Sequence, residues 1–95
     1  ANLANAMDRL KQANVWIAGA HLQGVPMDEA PLEGAIALVI GSEGEGLSRL
    51  AREKCDFLVS IPLRGKIESL NAAVAAAVLL YAKLAKDGTH APDKP

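Results

Sequence analysis

The sequence predicts an α/β domain in which helices pack on a small parallel sheet, and three observations carry that reading. Apolar residues make up 51% of the 95 but aromatics only 3%, so the core is built from Ala, Val, Leu and Ile, which suits close packing of helices on a sheet. Three short apolar runs, VWIAGA (15–20), AIALVIG (35–41) and DFLVSIP (56–62), read as strands. The second of these is apolar without alternation, as a strand covered on both faces requires. Helical spacings stand around them in the order helix, strand, strand, helix, strand, helix, which implies parallel crossovers and a layered α/β/α architecture.

Each element has its own signal. Leu3, Met7 and Leu10 recur at helical spacing and predict a helix over 2–13, with no clear cap before it. In the first strand β-branched and aromatic residues are followed by small ones, and HLQGVPMDEAPLEG after it, with Gly24, Pro26, Pro31 and Gly34, reads as a connecting loop. After the second strand, LSRLAREK predicts a short helix with Leu47, Leu50 and Ala51 inward and Arg49, Arg52, Glu53 and Lys54 on a solvated face. The third strand is stopped by Pro62, and a long helix follows over about 70–86. Trp16 and Tyr81 fall on elements predicted to be buried, so base-stacking platforms are not indicated. Residues 1–87 read as one structural unit, and 88–95 as a flexible tail of turn and proline chemistry.

Composition narrows the function. A net charge of −1 gives no overall basic field, so any RNA contact is local. The single Cys55 excludes an internal disulfide framework and lacks the companions of a metal site. No secretory signal pattern is present, which makes the cytoplasm the expected compartment. Residues 72–82 are uncharged, but that run is too short to span a bilayer and is expected to be buried by protein, in a homodimer.

Two loops carry the candidate chemistry. GSEGEGL (41–47) lies between a strand and a helix and lets backbone approach a ligand closely, although a tight turn needing glycine explains the spacing equally well. It matches neither a phosphate loop nor G-x-G-x-x-G. IPLRGKIESLN (61–71) leads from the third strand into the long helix, where Ser69 or Asn71 can serve as the helix cap. Loops of this kind at neighbouring strand ends form a shared cleft, on the side where open parallel sheets bind ligands.

Together, LVIGSEGEGL and IPLRGKIESLNAAVAAAVLLY resemble the second and third motifs of the SpoU family of RNA ribose 2′-O-methyltransferases, in the SPOUT superfamily, over roughly residues 14–86. The resemblance implies S-adenosylmethionine as cofactor, rRNA or tRNA as substrate, a C-terminal trefoil knot and a homodimer. Carried over by position, it implies that Gly41, Ile61 and Leu70 contact the cofactor through main-chain groups and apolar packing on adenine. Glu43 falls on the family's acidic position, where it holds loop geometry or the site; favourable charge at a helix N-terminus explains it as well. Ser69 falls near the transfer centre, and Asn71 braces the knot loop. The family's first motif, with its Asn and Arg, has no counterpart in this chain. The chain therefore reads as the C-terminal, cofactor-binding portion of a longer catalytic domain, expected to be inactive alone. A non-catalytic knotted dimerisation or nucleotide-binding module is the alternative. Arg64 and Lys66 fit contact with RNA phosphate or solvent equally, and His21 and His90 lack ligand companions.

Overall fold

The computed structural model describes residues 2–42, 45–62 and 71–88. The elements follow the expected order: α1 (Leu3–Gln12), β1 (Trp16–Pro26), β2 (Ile36–Val39), α2 (Arg49–Lys54), β3 (Phe57–Ser60) and α3 (Ala72–Asp87). The three strands form one sheet in the order β2-β1-β3, and both pairings are parallel. Trp16 to Gly19 pair with Ile36 to Val39, and Ala18 to Ala20 with Phe57 to Val59. β1 is therefore central and needs cover on both faces.

The alternation of side chains along β1 supplies two cores. Ile17 points to one face, where Met7 of α1 and Leu47 and Ala51 beside and within α2 close over it together with Val39. Ala18 points to the other, packed with Val59, with Leu79 of α3 and with Ala30 and Leu32 of the β1–β2 crossover. Fully burying a side chain such as Leu32 or Leu79 contributes about 1.5–3 kcal/mol. The crossover, residues 27–35, contains no helix but is itself part of the core, since Ala30 and Leu32 are buried.

The helix ends are satisfied locally. Asn2 caps α1, accepting from the Asn5 amide at 3.2 Å, so the helix has the cap that its opening residues did not advertise. Ser48 caps α2 through Oγ, which accepts from the Ala51 amide at 3.1 Å. Asn71 caps α3, and Gly88 ends it in the left-handed conformation at φ +69°. Lys54 reaches from α2 to Asp8 of α1 at 2.8 Å, tying the two helices together.

Three expectations are corrected. β1 does not stop at residue 20: it runs on to Pro26 through what reads as loop, leaving the β3 ladder at residues 21–24 and rejoining it at Val25. Gly24 permits the return, because a Cβ there would sit 2.5 Å from the Leu58 carbonyl carbon and the Val59 nitrogen. Leu50 is not inward but 54% exposed. In so short a helix Leu47 and Ala51 share the inner face, and a residue one step before Ala51 is turned about 100° away. Trp16 and Tyr81 are also exposed, at 59% and 76%. Trp16 opens β1 before the covered stretch begins, and Tyr81 lies off the narrow face of α3 that holds Ala75, Leu79 and Ala82.

The threading implied by the resemblance runs through residues 63–70, and the expected tail covers 89–95; both lie outside the described residues. No helix among the described residues is long and apolar enough to cross a membrane.

The end of α3 is fixed by polar contacts. Asp87 accepts from Lys83 and, at 2.8 Å, from the Gly34 amide; together these hold its carboxyl below the usual Asp range. A carboxyl whose pKa is lowered on folding contributes stability that is complete above its unfolded value, about pH 4. That stability is lost as pH falls through the lower folded value. Urea midpoints measured from pH 6 down to pH 2 are expected to fall more steeply for the parent than for Asp87→Asn across the acid end of that range. Leu79→Ala, which empties a fully buried site, is expected to cost about 2–5 kcal/mol by urea unfolding.

Candidate cofactor site at the strand ends

The two candidate loops leave the sheet at its carboxyl end, on either side of β1. The order β2-β1-β3 makes this a topological switch point: the chain crosses from β1 to one neighbour, then back over to the other. Open parallel sheets bind ligands in the crevice outside such strand ends.

Gly41 opens the first loop. Just beyond it the chain doubles back, with Ser42 and Gly46 in an antiparallel bridge and the Gly46 amide donating to the Ser42 carbonyl at 2.8 Å. Gly46 has φ +70°, which a residue with a Cβ adopts only under strain. The returning backbone lies across Gly41: a Cβ there would be 2.0 Å from the Gly46 carbonyl carbon and 2.3 Å from the Leu47 nitrogen. Only glycine fits, and the main chain at the mouth of β2 is left without a side chain of its own.

Ile61 opens the second loop, directly after β3. It packs on the core cluster of Ala18, Val59 and Leu79, as does Ile40, the neighbour of Gly41. The two loop mouths thus share one apolar support. Asn71 closes the second loop, with Oδ1 accepting from the Ala73 amide at 2.8 Å and the Val74 amide at 3.1 Å. Both bonds are internal to the helix start, so its side-chain oxygen is already engaged in capping. Glu43, Ser69 and Leu70 lie outside the described residues. The structure thus brings Gly41 and Ile61 to one end of the sheet and puts Asn71 at the head of α3.

Sequence reasoning passed over the middle of this end. Residues 21–24 leave the ladder beside the end of β3, and there His21 Nδ1 accepts from the Gln23 amide at 3.1 Å. The glycine at 24 was the available signal, and it reads as a loop residue unless its close packing on β3 is known. Cys55 donates to the Ala51 carbonyl at 3.2 Å, and burial pushes its thiol pKa up, so it is held as a thiol rather than a nucleophile. A cavity of about 230 Å³, lined by Lys11, Asn14, Val15, Trp16 and Asp56, opens at the other, amino end of the strands. Its charged groups already have partners, since Asp56 accepts from the Ile17 amide at 2.7 Å and lies 3.7 Å from Lys11. The strand-end loops, not this cavity, stand at the switch point of the sheet.

Comparison with known proteins gives the family. The profile of the SpoU rRNA Methylase family matches residues 1–81. The chain is 49% identical over 81 residues to the 23S rRNA (guanosine-2'-O-)-methyltransferase RlmB of Coxiella burnetii, a match covering 84% of this chain and 32% of that one. It is 45% identical over 82 residues to the putative TrmH family tRNA/rRNA methyltransferase YacO of Bacillus subtilis, with the same coverage. The chain thus spans about a third of the length of these relatives. Among solved structures it superposes with TM-score 0.79 and 31% identity on the SpoU methyltransferase AviRb of Streptomyces viridochromogenes in complex with AdoMet, over 90% of this chain and 36% of that one. An RNA 2′-O ribose methyltransferase gives TM-score 0.83 at 33% identity, over 90% of this chain and 34% of that one.

The geometry predicts two stability effects. Gly41→Ala forces the Ser42–Gly46 turn to open and is expected to cost about 1–3 kcal/mol, the usual range for overpacking. Asn71→Ala removes a cap and is expected to cost about 1 kcal/mol. Urea unfolding measures both, and an unchanged midpoint for Gly41→Ala contradicts the close approach.

Proposed function

The chain belongs to the SpoU rRNA methylase family, and from that premise we propose that its residues 1–87 form the cofactor-binding portion of an RNA ribose 2′-O-methyltransferase. The observation that carries the proposal is the pair of motif loops, from Gly41 and from Ile61, at the carboxyl ends of the two strands flanking β1. The residues at the strand ends suit S-adenosylmethionine: Gly41 lets the first loop fold tightly back over the mouth of β2, and Ile40 and Ile61 offer apolar side chains for an adenine ring. That cofactor supplies an electrophilic methyl group on a sulfonium.

Gly41, Ile61 and Leu70 hold the adenosine end, by main-chain hydrogen bonds and apolar contact. Ser69 stands next to the acceptor ribose, and Glu43 keeps the first loop in shape. Asn71 acts through the helix start it caps, as a brace rather than a contact to substrate. The protein's contribution is to hold the ribose 2′-oxygen in line with the carbon–sulfur bond, so that a bimolecular displacement proceeds within one complex. The acceptor is an rRNA or tRNA in the cytoplasm. Relatives named as 23S rRNA guanosine methyltransferases make a ribosomal guanosine the first substrate to test.

A homodimer and a trefoil knot formed by passage of α3 are parts of the same proposal. Support for the dimer comes from Val74, Leu80 and Tyr81, which leave one side of α3 apolar and exposed at 47%, 50% and 76%. The described residues do not cover that side, and a second copy would.

Calorimetry with S-adenosylhomocysteine tests the binding half. Micromolar affinity, about −8 kcal/mol, is expected. Leu70→Asp is expected to abolish the heat by setting a carboxylate against adenine, whereas Arg52→Ala on the exposed side of α2 leaves it unchanged. The chemistry is tested with the native protein and labelled cofactor. Label should appear in RNA as a linkage resistant to alkali, because a methylated 2′-oxygen cannot attack its own phosphodiester. Label on a base, or no heat from a folded chain, sinks the proposal.

A further inference from the structure

The cavity at the amino end of the strands has no part in the proposed cofactor site, yet it holds an aromatic ring in an unusual setting. Trp16 is 59% exposed at the first position of β1, so the expectation of burial that argued against base stacking does not hold for it. Tyr81, also exposed, shares its side of α3 with Val74 and Leu80, apolar neighbours that suit a protein surface. Trp16 instead shares a cavity of about 230 Å³ with Lys11, Asn14, Val15 and Asp56. Whole small-molecule ligands occupy pockets of about 300 Å³ or more, so this one suits a single ring system.

Its walls are held by backbone bonds. α1 ends with Asn14 at φ +64°, a left-handed conformation that Asn tolerates better than most residues, and the Val15 amide donates back to the Leu10 carbonyl at 3.0 Å. The Trp16 amide donates to the Ala35 carbonyl at 3.0 Å. Asp56 is fixed twice to Ile17, donating from its amide at 2.8 Å and accepting on its carboxylate at 2.7 Å. A cavity framed in this way is formed before a ligand arrives, which keeps the cost of ordering low.

Two polar groups remain available in it. The left-handed turn accounts for Asn at position 14 but not for its side-chain amide, which is exposed and has no hydrogen-bond partner among the described residues. That amide offers both donors and an acceptor. Lys11 lies 3.7 Å from the Asp56 carboxylate, and its ammonium has three protons to donate. The matching ligand has a flat face for the indole, donors and acceptors along one edge, and a negative charge close by. An unpaired nucleotide of a single-stranded RNA has all three. With a net charge of −1 and no overall basic field, a local contact of this kind is the kind this chain can make.

We propose that Trp16, Asn14 and Lys11 bind one unpaired nucleotide of the RNA substrate: the base stacks on the indole, its edge meets the Asn14 amide, and its phosphate meets the Lys11 ammonium. Asp56 serves as a brace for Ile17 and Lys11. The proposal rests on the reading of the substrate as RNA. From Trp16 to His21, β1 covers about 16 Å at roughly 3.3 Å per residue. The nucleotide held here is therefore not the one methylated at the other end of the strands, but another along the same RNA.

The test uses the native protein, a short single-stranded RNA, and the same ribose-phosphate chain without its bases. Trp16 fluorescence is read as the difference between the parent and Trp16→Phe. The RNA is expected to quench it, and the abasic chain to leave it unchanged. Trp16→Leu is expected to bind the RNA about tenfold more weakly, within the range for one stacked base, while Trp16→Phe keeps most of the affinity. Asn14→Gly, which preserves the left-handed turn, is expected to weaken binding about two- to tenfold. Lys11→Gln is expected to lower the slope of log affinity against log salt by about 0.7, the share of one phosphate on a single strand. Equal affinity for the abasic chain, or parent-like affinity in Trp16→Leu, overturns the proposal. So does an indole that acrylamide cannot reach in the native protein, because protein then covers it. Methyl transfer to RNA is followed in parallel. A parent that methylates RNA without any response from Trp16 overturns this proposal alone, and one that neither binds nor methylates RNA overturns the function as well. Should Trp16→Leu fail to fold, the abasic comparison and Lys11→Gln decide by the same criteria.

Discussion

Strand β1 is hydrogen-bonded along both edges and covered on both faces, and the rest of the chain is arranged to meet those demands. Its middle is Ala18-Gly19-Ala20, small enough for neighbours to close in from both sides. α1 and α2 cover one face with Met7, Leu47 and Ala51, while the crossover and α3 cover the other with Ala30, Leu32 and Leu79. Because β2 and β3 flank β1, two loops far apart in sequence emerge at the same end of the sheet. The candidate site follows from strand order rather than from adjacency in the chain.

α3 occupies an unusual position in this scheme. It is the longest helix, yet only a thin line of Ala75, Leu79 and Ala82 touches the core, and Val74, Leu80 and Tyr81 face outward. The apolar contact is supplemented by charged groups in its last turn, which bond to crossover backbone. Backbone carbonyls suit this purpose: their positions are already set by Ala30 and Leu32, buried beneath them.

Much of this was legible in the sequence. The order of elements, the parallel sheet, both motif loops and the family could be read from apolar runs and from two glycine- and Ser-Leu-Asn-containing segments. What escaped depends on contacts between distant residues. β1 reads as ending near residue 20, because Gly24 and Pro26 signal a turn; only the close approach of Leu58 and Val59 shows that Gly24 lets the strand return. Leu50 reads as inward on hydrophobicity alone, but α2 is too short to bury a second face. Trp16 and Tyr81 read as buried from their elements, whereas exposure depends on where the covering layers stop. The bonds of Lys86 and Asp87 to the crossover leave no trace in local pattern, since their acceptors and donor are main-chain groups more than 50 positions away.

The central claim is that the carboxyl ends of the strands, not the cavity at their amino ends, hold S-adenosylmethionine. Amide chemical-shift mapping during titration with S-adenosylhomocysteine tests it directly. The account predicts that the largest shifts fall on Gly41, Ser42, Ile61 and the first turn of α3, with Lys11, Asn14, Trp16 and Asp56 unmoved. Shifts centred on Lys11, Trp16 and Asp56, with Gly41 and Ile61 unmoved, would contradict it.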